Sequence, residues 1–199
     1  AIGDSLDALV VTAALSSSMA NGRKIFEVNL IGYANLLAAV EPLLHPGSVG
    51  VIFSSESGYA APATPELLSV LDEPLADDFF ERMSALGLDP DHPSLAYSVS
   101  KLGVHRLARN LVFAWGVKGA RIVSVSPGIN DTPMNRLDES NHPENMAEII
   151  ASSPLGRRGT PAEVAAVVDF LTSDQASLIT GSAVLVDGGM LHSIPKHPP

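Results

Sequence analysis

Four short apolar runs, none with the alternation of a half-exposed strand, constrain the fold of this chain more than any other feature. They lie at Asp7 to Ala14, Ser48 to Ser55, Arg121 to Ser126 and Ala183 to Asp187. A strand that is apolar on both sides must be covered on both faces, as happens in a parallel sheet packed between helices. Helical patterns fill the intervals. Residues 23–44 read as a helix carrying Ile25, Phe26, Val28, Asn29, Leu30, Leu36, Leu37, Val40 and Leu43. Behind Pro93, with Ser94 as N-cap, residues Val104, Leu107, Ala108, Leu111, Val112 and Trp115 keep one apolar helix face until Gly116 stops it. Thr160-Pro161-Ala162-Glu163 opens another helix with a capping box, followed by Val164, Val167, Val168 and Leu171. The expected fold is α/β, with a doubly wound parallel sheet and residues 1–199 forming a single domain.

Two stretches depart from strand-helix alternation. Residues 60–93, punctuated by Pro62, Pro65, Pro74, Pro90 and Pro93, predict two short amphipathic helices inserted into the domain, with their apolar face packed first on the domain itself. Residues 134–159 carry Met146, Ile149 and Ile150 among polar residues and suit a movable lid.

The side chains with chemical potential gather near strand ends. Tyr97 and Lys101 stand one turn apart on one side of a helix, and an ammonium beside a phenol favours the phenolate, whose free pKa is about 10. A tyrosine tuned in this way exchanges protons with an alcohol or carbonyl. Ser55 closes the second strand, where open parallel sheets gather ligands. Asn29 lies among apolar neighbours and must either tie backbone together or hold a water. Pro127-Gly128-Ile129-Asn130-Asp131-Thr132-Pro133 ends the third strand abruptly and leaves amides and a hydroxyl free for a polar ligand. The six histidines, at 45, 92, 105, 142, 192 and 197, have no metal-site spacing and read as solvated or tail residues.

Charge and composition narrow the partners. A net charge of −10 argues against nucleic acid, and the chain has no cysteine for disulfide or thiolate chemistry. No apolar run reaches membrane-spanning length and no basic signal-like start is seen, so the expected compartment is the cytoplasm and no membrane partner is expected.

The ordered set of Ser54-Ser55, Tyr97-x-x-x-Lys101, Pro127-Gly128-x-x-x-Thr132-Pro133, Pro154-Leu155-Gly156-Arg157 and Val186-Asp187-Gly188-Gly189 resembles the short-chain dehydrogenase/reductase family from about Asp7 to Met190. The long stretch between Ser55 and Tyr97, with Ser94-Leu95-Ala96-Tyr97 and Ala114-Trp115-Gly116, is similar to the 3α-hydroxysteroid dehydrogenase/carbonyl reductase group. Two departures stand out. The family's glycine-rich pyrophosphate turn has no counterpart here, which implies that roughly sixty to seventy upstream residues, the usual first βαβαβ half, are missing and that the first strand is an exposed apolar edge. Thr12-Ala13-Ala14 also stands where the family usually has Asn-Ala-Gly.

The resemblance implies an NAD(P)-dependent oxidoreductase of the Rossmann-like fold, with NAD favoured over NADP. It would interconvert a secondary alcohol and a ketone, on a small hydrophobic and conceivably steroid-like substrate, as a homodimer or homotetramer. By the same resemblance Tyr97 would be the acid/base, Lys101 would tune it and hold the nicotinamide ribose, and Ser55 would bond the substrate oxygen. Asn29 would hold a relay water. Ala13 and Ala14 would lie along the adenosine side, and Pro127, Gly128, Ile129 and Thr132 would line the nicotinamide. The other readings are a non-catalytic nucleotide-binding regulator or scaffold of this fold, and a serine hydrolase using Ser55. The latter has no Gly-x-Ser-x-Gly to support it.

Overall fold

All four apolar runs join one parallel sheet in a computed structural model that describes residues 3–141 and 143–193. The strands β1 (Ala8–Val11), β2 (Val49–Phe53), β3 (Arg121–Pro127) and β4 (Ala183–Val186) follow one another across the sheet in chain order. Val10 lies opposite Val51, Val51 opposite Val123, and Val125 opposite Val184. The first strand is shorter than the run Asp7–Ala14, because its partner β2 pairs with it only as far as Ile52.

The missing alternation has a direct cause. Val49, Val51, Val123 and Val125 point to one face and pack with Val164 and Leu171, while Val11, Ile52 and Ile122 point to the other and join the larger core. Helix α1 (Gly22–Phe26) leads into one π turn over Glu27–Ile31 and then into α2 (Gly32–Val40). Residues 23–44 are therefore three segments rather than one uniform helix, and a 3-10 turn at Glu41–Leu43, containing Pro42, closes them. Helix α3 (Pro65–Leu71) and helix α4 (Phe79–Ala85) belong to the stretch inserted between β2 and Tyr97. Their Leu67, Leu71, Phe79 and Met83 are buried in the larger core, where Phe79 meets Phe26 edge to face at 5.6 Å.

Helix α5 (Pro93–Asn110) crosses that same core. Its N-cap is His92, not Ser94: Pro93 lacks an N–H and takes the first helical position, and the His92 ring accepts from the Leu95 amide at 3.3 Å. The helix also ends sooner than the apolar spacing predicts. At Leu111 the chain resets into α6 (Val112–Gly116), which lays the buried Trp115 ring over Gly50, where a β-carbon would lie 2.8 Å from the ring. Beyond β3 come α7 (Pro133–Asn141), α8 (Pro143–Ser152), α9 (Pro161–Thr172) and α10 (Met190–Ser193). The capping box of α9 is formed in full, with Glu163 accepting from the Thr160 amide at 2.8 Å.

The outer edge of β1 pairs with no strand among the described residues, and Val10 is 43% exposed there. No described helix is long and apolar enough to cross a membrane.

Candidate active site

The carboxyl ends of β2 and β3, the loop after β1 and helices α5, α7, α8 and α9 enclose a cavity of about 830 Å³. Ser55, Tyr97, Lys101, Ala14, Pro127, Gly128, Ile129 and Thr132 all line it. Ala13 does not, and is exposed beside it. Asn29 is fully buried behind the wall.

Each wall residue is held by its element. Ser55 lies two residues beyond β2 and caps a 3-10 turn (Glu56–Ala60), its hydroxyl accepting from the Ser57 amide at 3.2 Å. Ser54 donates to the Lys101 carbonyl at 2.7 Å, and Gly58 lies so close to α5 that a β-carbon would sit 2.9 Å from the Lys101 carbonyl carbon. The serine strand and the Tyr97 helix are thereby locked in one register. Asn29, on the π turn, accepts from the Leu15 amide at 2.8 Å and donates to the Leu15 carbonyl at 2.9 Å. Its side chain braces the loop that carries Ala14 into the cavity. Of the two roles open to a buried asparagine, tying backbone is the one its amide performs here.

Lys101 is buried and donates to the Phe53 carbonyl at 3.0 Å, with its ammonium 5.8 Å from the ring centres of both Tyr33 and Tyr97. Burial pushes Lys101 down to about 7. Burial also pushes the Tyr97 phenol up to about 12, against a hydrogen bond with Ser55 that lowers it, with the charges of Glu56 and Asp138 adding to the rise. Burial is the largest of these causes.

The loop after β3 is built as a rigid rim. Asn130 is buried and donates to the Gly128 carbonyl at 2.8 Å, while Gly159 donates to Ile129 and accepts from Asp131, both at 2.9 Å. Thr132 accepts from the Asn135 amide at 3.3 Å at the start of α7. Ser16 donates to Asp138 at 3.0 Å, joining α7 to the loop after β1 across the cavity mouth.

Sequence reasoning missed two features. His105, one turn beyond Lys101, is not solvated: its ring bonds Ser126 at 2.8 Å and lies 4.6 Å from the Tyr59 ring. Burial, with Lys101 nearby, pushes it down to about 4, so it is neutral. Glu56 lines the cavity immediately after Ser55, and burial, with Asp187 nearby, pushes it up to about 7. An acid directly behind the hydroxyl-ending strand was the available signal. Of the other histidines, His45 bonds Asp7 at 2.9 Å, and positions 142 and 197 lie outside the described residues. No cluster of described residues could hold a metal ion.

A family model described as enoyl-(acyl carrier protein) reductase matches residues 83–191. The 3-alpha-hydroxysteroid dehydrogenase/carbonyl reductase of Comamonas testosteroni is 31% identical over 193 residues, covering 93% of this chain and 72% of that one. The chain belongs to the short-chain dehydrogenase/reductase family. The crystal structure of another such enzyme, the 3-alpha-hydroxysteroid dehydrogenase from Pseudomonas sp. B-0831 complexed with NADH, matches with a TM-score of 0.81 and 30% identity, over 99% of this chain and 77% of that one. Galactitol 2-dehydrogenase of Rhizobium johnstonii is 43% identical over 107 residues, a match spanning 54% of this chain but only 41% of the galactitol enzyme.

The wall fits the nicotinamide end of this family's cofactor. Lys101 has one carbonyl partner for three potential N–H donors, so it has donors to spare for ribose hydroxyls. Thr132 and the Ile129 backbone stand on the braced rim beside it. No glycine-rich turn for a pyrophosphate lies among the described residues.

Proposed function

We propose that this chain performs the proton-transfer and substrate-positioning work of an NAD(P)-dependent dehydrogenase that interconverts a secondary alcohol and its ketone. The observation that carries the reading is the convergence of Ser55, Tyr97 and Lys101 on one cavity at the carboxyl ends of the strands. A nicotinamide cofactor, when bound, supplies the carrier for the hydride. In reduction, Tyr97 gives its phenolic proton to the carbonyl oxygen while the Ser55 hydroxyl donates to that oxygen as negative charge develops on it. In oxidation, Tyr97 takes the hydroxyl proton. Lys101 donates to the ribose hydroxyls. Asn29 holds Leu15, and with it the strand-end loop at Ala14, in place.

Helices α7 and α8 bring Met134, Met146 and Ile149 to the cavity and serve as its cover, which suits a substrate with an apolar body. NAD is the favoured cofactor, a choice supported by the NADH held by the Pseudomonas relative. The same reading places the enzyme in the cytoplasm as a homodimer or homotetramer. Tyr97→Phe tests it directly: steady-state rates on a panel of secondary alcohols and ketones should fall at least a hundredfold, about the span general acid-base catalysis supplies. Cofactor affinity, followed by nicotinamide fluorescence, should stay within a few-fold. An unchanged rate would sink the proposal, and cofactor binding without turnover by the wild type would favour the non-catalytic regulator.

A further inference from the structure

Glu56 is the feature of this cavity that the proton-transfer scheme leaves without a task. It occupies the first position of the 3-10 turn that Ser55 caps, and both residues line the cavity. Its backbone cannot drift. Ser55 holds the turn through the Ser57 amide, and Gly58 presses the same turn against α5 at Lys101. The carboxyl has no hydrogen-bond or ion-pair partner among the described residues. Met134, Met146 and Ile149 line the same cavity, and the charged or titratable groups that share it are Tyr97, Lys101 and Asp138, with Asp187 nearby. The carboxyl oxygens are not sealed inside the protein, so they are open to whatever enters the cavity that Glu56 lines.

We propose that Glu56 is a specificity-determining residue that hydrogen-bonds a second hydroxyl of the substrate, one placed next to the carbon that Tyr97 and Ser55 act upon. The substrate class is then a secondary alcohol bearing a neighbouring hydroxyl, or the corresponding hydroxyketone. This inference rests on the dehydrogenase reading. Glu56 and Ser55 start one turn and line one cavity, and the Glu56 charge acts on Tyr97, so the carboxyl lies on the reacting side of the cavity. A hydroxyl is the fitting partner. The surroundings favour the uncharged carboxyl, which both donates and accepts, as a hydroxyl does. An anionic substituent would meet Asp138 in the same cavity and Asp187 nearby.

The test uses the full natural polypeptide with NAD and NADP, and compares kcat/KM for trans-cyclohexane-1,2-diol, cyclohexanol and trans-2-aminocyclohexanol. The wild type should prefer the diol over cyclohexanol by about tenfold, the scale of one matched hydrogen bond in a desolvated site. Glu56→Ala should reduce that preference to within about twofold, and Glu56→Gln, whose amide still donates and accepts, should keep part of it. Cofactor fluorescence checks that both variants are folded. An equal diol preference in wild type and Glu56→Ala overturns the assignment while leaving the dehydrogenase reading intact. A preference for the amino alcohol overturns it too, because the carboxylate would then be reading a cation. No turnover of any of the three by the wild type, with cofactor bound, removes the dehydrogenase reading and this inference with it.

Discussion

Tyr97 and Lys101 line the same cavity, and burial moves each toward its neutral form, the phenol up to about 12 and the ammonium down to about 7. The direction of the reaction therefore sets its pH dependence. Carbonyl reduction uses protonated Tyr97, which is fully populated far below 12, so its rate should be nearly flat from about pH 7 to 9. Alcohol oxidation needs the phenolate, whose fraction rises about tenfold per pH unit below the phenol's pKa, so log kcat/KM should climb with a slope near one over the same range. Rate profiles in both directions check this, and a flat oxidation limb would mean that another group takes the proton. Asn29 makes a prediction of a different kind. Asn29→Ala strips the Leu15 amide and carbonyl of their partners at once, and should cost about 2 kcal/mol in urea unfolding. Because the same bonds position Ala14, cofactor affinity should weaken more than turnover at saturation.

At the scale of elements, the start of α9 is held by local groups alone. Thr160 and Glu163 satisfy each other's backbone amides, and Arg157 pairs with Glu163 at 2.7 Å. Thr160→Ala should lower stability by about 1 kcal/mol, read as a shift in thermal midpoint without loss of fold. The hydrogen bond from Arg157, then the backbone and hydroxyl of Thr160, hold the Glu163 carboxyl at about 2, below its ordinary 4.5. A depressed carboxylate stabilises the fold above its unfolded pKa, and that stabilisation is lost as pH falls from 4.5 toward 2. The acid limb of the stability curve should therefore be shallower in Glu163→Gln than in the wild type. Helix α5 behaves otherwise, since most of its length is buried in the larger core.

At the scale of the molecule, the inserted helices α3 and α4 share one core with α1, α2 and α5. Met83 is fully buried in that core, so Met83→Ala should destabilise the whole domain by about 2–5 kcal/mol. Denaturant unfolding followed by Trp115 fluorescence and by circular dichroism should shift together. Separate transitions would mean that the insertion is an independent unit. The exposed edge of β1 has the opposite character, being an apolar strand with hydrogen-bonding groups turned outward.

Periodicity alone determined the parallel sheet, the places of its strands and the capping box of α9, because those depend on which side chains must leave water and on bonds between residues three apart. The ordered motifs likewise placed Ser55, Tyr97 and Lys101 at strand and helix ends that the fold brings to one cavity. Only the tertiary structure decided the rest. It gave the Asn29 amide to Leu15, sank His105 against Ser126, and set Glu56 in the chamber without a partner. A pKa and a buried hydrogen bond depend on how much water is excluded and on groups far away in the chain, and neither is written in local spacing.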